Sequence, residues 1–240
     1  MANFCIPELS VYFYHRLMRG NRTIKISTSS LHAFQSPNLS PLATVGIDIS
    51  VDWGGIWRAG TLDTFTVHDR LCREVVLLRL FPSITIQIVK QFLKPPILGV
   101  VLQCYGAGNI PSNREDIMEA LTEATEAGVL IVACTQCTNG EVSAIYETGR
   151  ALTDCGVIPG SDITPEAALT KLSYVLSKES WDLGERRRAL SVSLRGECTV
   201  QLETMNPSTK ECINNQEHKL DLVDAVAKVM HLTWWMQWPR

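Results

Sequence analysis

Val75-Val76-Leu77-Leu78-Arg79-Leu80 is an apolar run of strand length, suited to a strand buried on both faces. The segments beyond it set the fold class. Phe81-Pro82-Ser83 leads into a helical stretch over 84–93, with Ser83 as candidate N-cap. Pro95-Pro96 ends that helix, because neither proline can donate to a helix ladder. Residues 97–102 read as a second buried strand, with the glycine-bearing loop Tyr105-Gly106-Ala107-Gly108-Asn109 at its carboxyl end. Ser112 or Asn113 caps a helix over 114–127, ended by Gly128. A third strand covers 129–134, and a helix over 141–155 ends at Gly156. The helix from 165 to about 178 has Thr164 as N-cap, Pro165 at its first position and Glu166 in its first turn. A last helix covers 185–194. This alternation predicts an α/β domain over 74–199, a Rossmann- or flavodoxin-like parallel sheet with right-handed crossovers. Ligands bind such sheets at the carboxyl ends of the strands, which points to the loops 80–83, 103–113 and 135–140.

Outward from this core the signals weaken. Residues 9–14 read as a short strand rich in β-branched and aromatic residues. Residues 15–50 carry scattered Ser, Pro, Asn and Gly and read as irregular. Gly54-Gly55 and Gly60 suggest turns, so 51–73 is expected to be a linker after a first lobe, 1–50. Residues 200–240 form a polar tail in which 220–230 has helix-compatible apolar spacing, followed by the aromatic Trp234-Trp235-Met236-Gln237-Trp238.

The 240 residues suffice for one large domain or two small ones, and 45% hydrophobic content fits a globular chain. A net charge of −3 gives no basic footprint, so no nucleic-acid partner is expected. No window reaches the length of a membrane span, and no basic region leads into an apolar run at the start. A cytoplasmic location and no membrane partner are therefore expected. The eight cysteines are expected to be free thiols.

Few residues announce chemistry by themselves. Cys134-Thr135-Gln136-Cys137 has half the spacing of a zinc site, but no second pair accompanies it. Its first cysteine falls at a strand end rather than at a helix N-terminus, where the dipole would activate a thiol. Histidines 15, 32, 68, 218 and 231 are too dispersed to pair by sequence. Gly106-Ala107-Gly108 is followed by Asn109-Ile110-Pro111, so the dinucleotide fingerprint fails. No cofactor and no metal are expected. Asn109 offers an amide that both donates and accepts, and the loop glycines either admit a ligand closely or shape a tight turn. Lys25, in a loop after a strand, reads by itself as a solvated charge.

Blocks along 2–199 carry a resemblance. They are Arg16-Leu17-Met18-Arg19-Gly20-Asn21-Arg22-Thr23-Ile24-Lys25 with Phe34-Gln35-Ser36-Pro37-Asn38-Leu39, then 105–111, 132–137 and 155–176, and the closing Leu194-Arg195-Gly196-Glu197-Cys198-Thr199. In this order they resemble the type I, cytosolic, L-asparaginases, including the animal branch that carries lysophospholipase labels. The resemblance implies hydrolysis of L-asparagine to aspartate and ammonia through a threonine acyl-enzyme, in a dimer or tetramer. It places the family's supporting lysine at Lys25 and its effector-site contributors at Ile24, Gln103, Asn109, Thr135 and Cys137.

The family's two threonine motifs, Thr-Gly-Gly-Thr and Gly-Thr-Asp-Thr, are absent from the chain. The expectation is a partial chain, comprising the end of the N-terminal lobe and the whole C-terminal lobe, inactive by itself. Ile24 stands for a threonine and Gln103 for an arginine of the bacterial pattern, and glutamine cannot fork a charge onto a carboxylate. Asparagine activation is expected to be weak or absent. A catalytically inactive module for ligand binding or oligomerisation is the alternative. A lysophospholipase reading lacks a Gly-x-Ser-x-Gly elbow, and the blocks fit the type I enzymes better than a tRNA amidotransferase subunit. With its neighbours missing, the first lobe is expected to leave strand 9–14 unpaired and residues 1–60 poorly anchored.

Overall fold

Strand-length apolar runs pair into sheets in a computed structural model that describes residues 4–58, 66–110, 114–142 and 147–199. Met1–Trp57 and Val67–Val200 form one compact unit. The polar tail and the helix expected at 220–230 lie outside the described residues.

The first segment folds as short antiparallel strands: β1 (Ser10–Phe13), β2 (Arg16–Arg19), β3 (Ile24–Lys25), β4 (Phe34–Gln35), β5 (Ala43–Val45) and β6 (Ile49–Val51). The sequence reading of 15–50 as irregular is corrected here. Strand β1 pairs with β2, and the sheet order is β1-β2-β5-β6, while β3 and β4 form a separate ribbon. The β1–β2 turn uses Tyr14 and His15 at φ 44° and 63°, positions that normally call for Gly or Asn. No residue type there signalled a hairpin. Leu17, Leu42, Ala43 and Ile56 bury together under the sheet.

The second segment begins with β7 (Val75–Arg79), followed by α1 (Ile86–Leu93), β8 (Gly99–Cys104), α2 (Glu115–Glu126), β9 (Leu130–Thr135), α3 (Glu147–Asp154), β10 (Ile158–Pro159), α4 (Pro165–Leu176) and α5 (Leu183–Ser191). The four strands are parallel in the order β10-β9-β8-β7. That order follows the chain without reversal, so the described strands contain no switch point. Period-2 alternation sorts the two cores. Val100, Leu102, Ile131 and Ala133 face Val89, Ile117, Leu121 and Leu152 of α1, α2 and α3. Val101, Leu130, Val132 and Cys134 face Ala168, Leu172, Val175 and Leu190 of α4 and α5. The result is a three-layer α/β/α sandwich.

Several expected helix starts move. Helix α2 begins at Glu115 with Arg114 as N-cap, and α5 at Leu183 with Asp182 as N-cap, where 114 and 185 were expected. Helix α1 is capped by Thr85, whose side chain accepts from the Ile88 amide, while Ser83 sits at φ 67°. The helix expected from 141 does not include Glu141 or Val142. Val142 is 2% exposed, and its amide donates to Ser161 O at 2.9 Å. Pairing with a neighbouring loop has replaced the helix there. Helix α4 starts as expected, with Thr164 accepting from the Ala167 amide and proline in the first turn.

The first segment is also anchored, contrary to expectation. Asn21 donates to Arg195 O at 2.8 Å, Arg19 to Gly196 O at 3.1 Å, and Arg22 pairs with Asp162 at 2.8 Å. These partners lie far along the chain, beyond the reach of local pattern. Among the described residues no helix is long and apolar enough to cross a membrane.

Candidate functional site

At the carboxyl end of the parallel sheet the strands stop in register, Gln103 opposite Cys134 and Cys104 opposite Thr135. The loops beyond them are fastened by side chains. Gln136 Nε2 donates to Leu80 O at 2.6 Å and to Gln103 O at 2.9 Å, closing three strand ends together. Thr135 Oγ1 donates to Gly106 O at 2.6 Å and accepts from the Cys137 amide at 3.0 Å. Its hydroxyl proton is committed, which leaves an acceptor lone pair for a ligand. In the loop after β8, Tyr105 N donates to Asn109 O at 3.0 Å and Asn109 N to Tyr105 O at 2.7 Å. Gly108, at φ 109°, lies where an added Cβ would stand 2.8 Å from Val142. The glycine here shapes a tight turn, and Asn109 is exposed.

Four of the expected site residues therefore share one end of the sheet. Gln103 is 8% and Thr135 6% exposed, while Asn109 and Cys137 are open. The other two, Ile24 and Lys25, sit on the β3–β4 ribbon. Lys25 is exposed, and its Nζ lies 5.5 Å from the centre of the Phe34 ring. No hydrogen bond joins Ile24 or Lys25 to the strand-end group among the described residues. Asn38 supplies the connection instead. Its Nδ2 donates to Gly140 O at 3.1 Å, and its Oδ1 accepts from Gly140 N at 3.1 Å. Of the histidines, His32 and His15 meet at Tyr14, with ring centres 3.8 Å and 5.3 Å from it. His68 Nε2 lies 2.7 Å from Ser177 Oγ.

Behind the site runs a buried ionic framework that the sequence reading missed. Arg19 pairs with Glu8, with side chains 7% and 5% exposed. Arg22 pairs with Asp162, and Lys171 with Glu197 at 2.8 Å, all four side chains being buried. Burial opposes ionisation of Glu197, but the Lys171 ammonium and the Leu194 and Arg195 amides outweigh it. They hold the carboxyl below the usual glutamate range. One signal for Lys171 was present in the sequence. It falls on the helical stripe of Ala167, Ala168, Leu172 and Val175, where a charge needs a partner.

The described cysteines carry free thiols, and among the described residues no group of His, Cys, Asp and Glu is placed to hold a metal ion. Burial pushes the Cys134 thiol up to about 12, and burial with Cys134 nearby does the same for Cys104. Cys137 is exposed. Iodoacetamide on the folded chain is expected to alkylate Cys137 while sparing Cys104 and Cys134. Peptide mapping that found Cys134 modified at the same rate would contradict the packing of β9.

Comparison with known proteins now gives the arrangement a lineage. The family model described as glutaminase/asparaginase C-terminal domain matches residues 74–190, and that described as asparaginase, N-terminal, matches 1–56. The chain is 47% identical over 232 residues to an L-asparaginase of Dirofilaria immitis, covering 97% of this chain and 38% of that protein. It is 43% identical over 208 residues to a 60 kDa lysophospholipase of Homo sapiens, covering 86% and 36%. The solved L-asparaginase I of Vibrio cholerae superposes with a TM-score of 0.75 at 37% identity, covering 81% of this chain and 58% of that one. The chain thus spans under two thirds of the length of each.

Proposed function

The chain belongs to the asparaginase family, and on that premise we propose that it contributes the C-terminal lobe and the supporting lysine of an L-asparagine amidohydrolase. The reaction exchanges the side-chain amide nitrogen for water, giving L-aspartate and ammonia. The observation that carries the reading is the placement of Lys25, an exposed ammonium without an ion pair among the described residues, on a ribbon fastened to the strand-end loops. A cation so placed favours the alkoxide-like state of a hydroxyl nucleophile and relays its proton. The nucleophile belongs to threonine motifs that these residues do not include.

Asn109, Gln103, Thr135, Cys137 and Ile24 are assigned to the binding of L-asparagine as substrate or effector. Gln103 and Ile24 offer it neither an arginine fork nor a hydroxyl, so effector binding is weak. The protein is assigned to the cytoplasm and to a homo-oligomer, dimer or tetramer, like the family it resembles. The second reading is a catalytically inactive module for ligand binding or oligomerisation. It is favoured for these 240 residues alone by the missing threonine motifs.

Coupled detection of ammonia released from L-asparagine by the purified chain tests the assignment. The expected result is no turnover above the level of Lys25→Ala. Robust turnover that survives Lys25→Ala would remove Lys25 from the chemistry and overturn both readings.

A further inference from the structure

We infer that Asp162 is a positioning residue for Lys25, a latch that fastens the lysine ribbon at both of its ends. The inference rests on the assignment of Lys25 as the supporting lysine. The β3–β4 ribbon is short, with Ile24 against Gln35 and Lys25 against Phe34 in register, one further bond from Ile26 N to Ala33 O at 2.9 Å, and the Phe34 ring 5.1 Å from that of Phe13 in β1. A two-stranded ribbon of that size does not keep its place without outside contacts. The fastenings stand immediately before and after it, and both reach Asp162.

Before the ribbon stands Arg22. Its Nη1 lies 2.8 Å from Asp162 Oδ1 and 3.4 Å from Asp162 O, and its Nη2 donates to Thr199 Oγ1 at 2.9 Å. Thr199 closes the circle, donating from N to Asp162 Oδ1 and from Oγ1 to Oδ2, both at 2.7 Å. After the ribbon stands Asn38, whose Nδ2 donates to Asp162 O at 3.2 Å and to Gly140 O at 3.1 Å. Asp162 is 7% and Arg22 3% exposed, so water competes little for these bonds. The donors to the carboxylate are Arg22 and the amide and hydroxyl of Thr199, so the group holds position. Asn38 also ties the ribbon to Gly140, at the far end of the loop that follows β9.

The test uses the full chain with its lysines reductively 13C-dimethylated, the Lys25 signal being assigned by Lys25→Arg. The Phe34 ring face shifts that signal upfield. In Asp162→Asn the signal is expected to move to the position of a free surface lysine. Amide exchange at 24–26 and 33–35 should rise more than tenfold while β8 and β9 keep their protection. Arg22→Lys, which keeps the charge, should restore part of the shift lost in Arg22→Gln. Should Asp162→Asn unfold the chain, Asn38→Ala decides, because it frees one end without stranding a buried charge. An unchanged Lys25 signal and unchanged ribbon exchange in the folded variant overturn the inference. Failure of the Lys25 assignment would appear in the ammonia assay, as turnover that survives Lys25→Ala, and would leave these readouts where they are.

Discussion

Glu197→Gln is expected to cost the chain about 3–5 kcal/mol, the range for breaking one side of a buried ion pair. Glu197 is 4% exposed and holds three donors: Lys171 Nζ at 2.8 Å, and the Leu194 and Arg195 amides at 2.9 and 2.6 Å. Glutamine keeps the size but leaves the Lys171 ammonium buried without a counter-charge. Lys171 Nζ still reaches Leu190 O at 3.1 Å, yet a carbonyl dipole does not replace a carboxylate. Urea unfolding should show a lower midpoint at unchanged slope. A loss below about 1 kcal/mol would mean that the pair is no more than an exposed one in solution. The pH dependence has a definite sign. The folded carboxyl is held below its ordinary value, so its contribution is complete above that value, about 4.3. It is lost as the pH falls further through the folded value. Glu197→Gln should remove this acid-side slope, and a variant that kept it would assign the slope to another carboxylate.

Leu102→Ala is expected to lower stability by about 2–5 kcal/mol, and the melting temperature by roughly 4–20 °C. Leu102 is fully buried at the centre of β8, in the core shared with α1 and α2. Its neighbours on that face are held by both sheet and helices, so the site cannot collapse around the deleted methyls. The effect reaches the candidate site because the next residue, Gln103, supplies the carbonyl that Gln136 grips at 2.9 Å. Calorimetry of the variant measures the loss, and a shift under about 2 °C would show that the two cores repack freely.

Parts of this fold were open to reading from local pattern. Strands β7, β8 and β9 announce themselves as apolar runs, and α4 carries its own start in Thr164 and Pro165. The start of α1 was not readable, since Ser83 and Thr85 are both hydroxyl residues and only the backbone at Ser83 chooses between them. Strands β2 to β6 were missed because each is short and exists only through antiparallel neighbours. The site divides in the same way. Lys25, Asn109, Gln103, Thr135, Cys137 and Ile24 came from a family resemblance, while Asn38 and Asp162 lie inside the resembling blocks without a role having been read for either. Their bond spans a sequence separation of 124 residues, and nothing in their immediate surroundings marks either one.

The sequence by itself determined the parallel α/β sheet and the family, because these rest on short-range periodicity and on motifs contiguous in the chain. Only the tertiary structure decided that the first segment forms an anchored sheet, that Tyr14 and His15 turn a hairpin, and that Asp162, Lys171 and Glu197 are buried charges with partners. The reason is physical. A buried charge is tolerable only beside its counter-charge, and the counter-charges here come from residues that folding, not sequence proximity, brings to 2.8 Å.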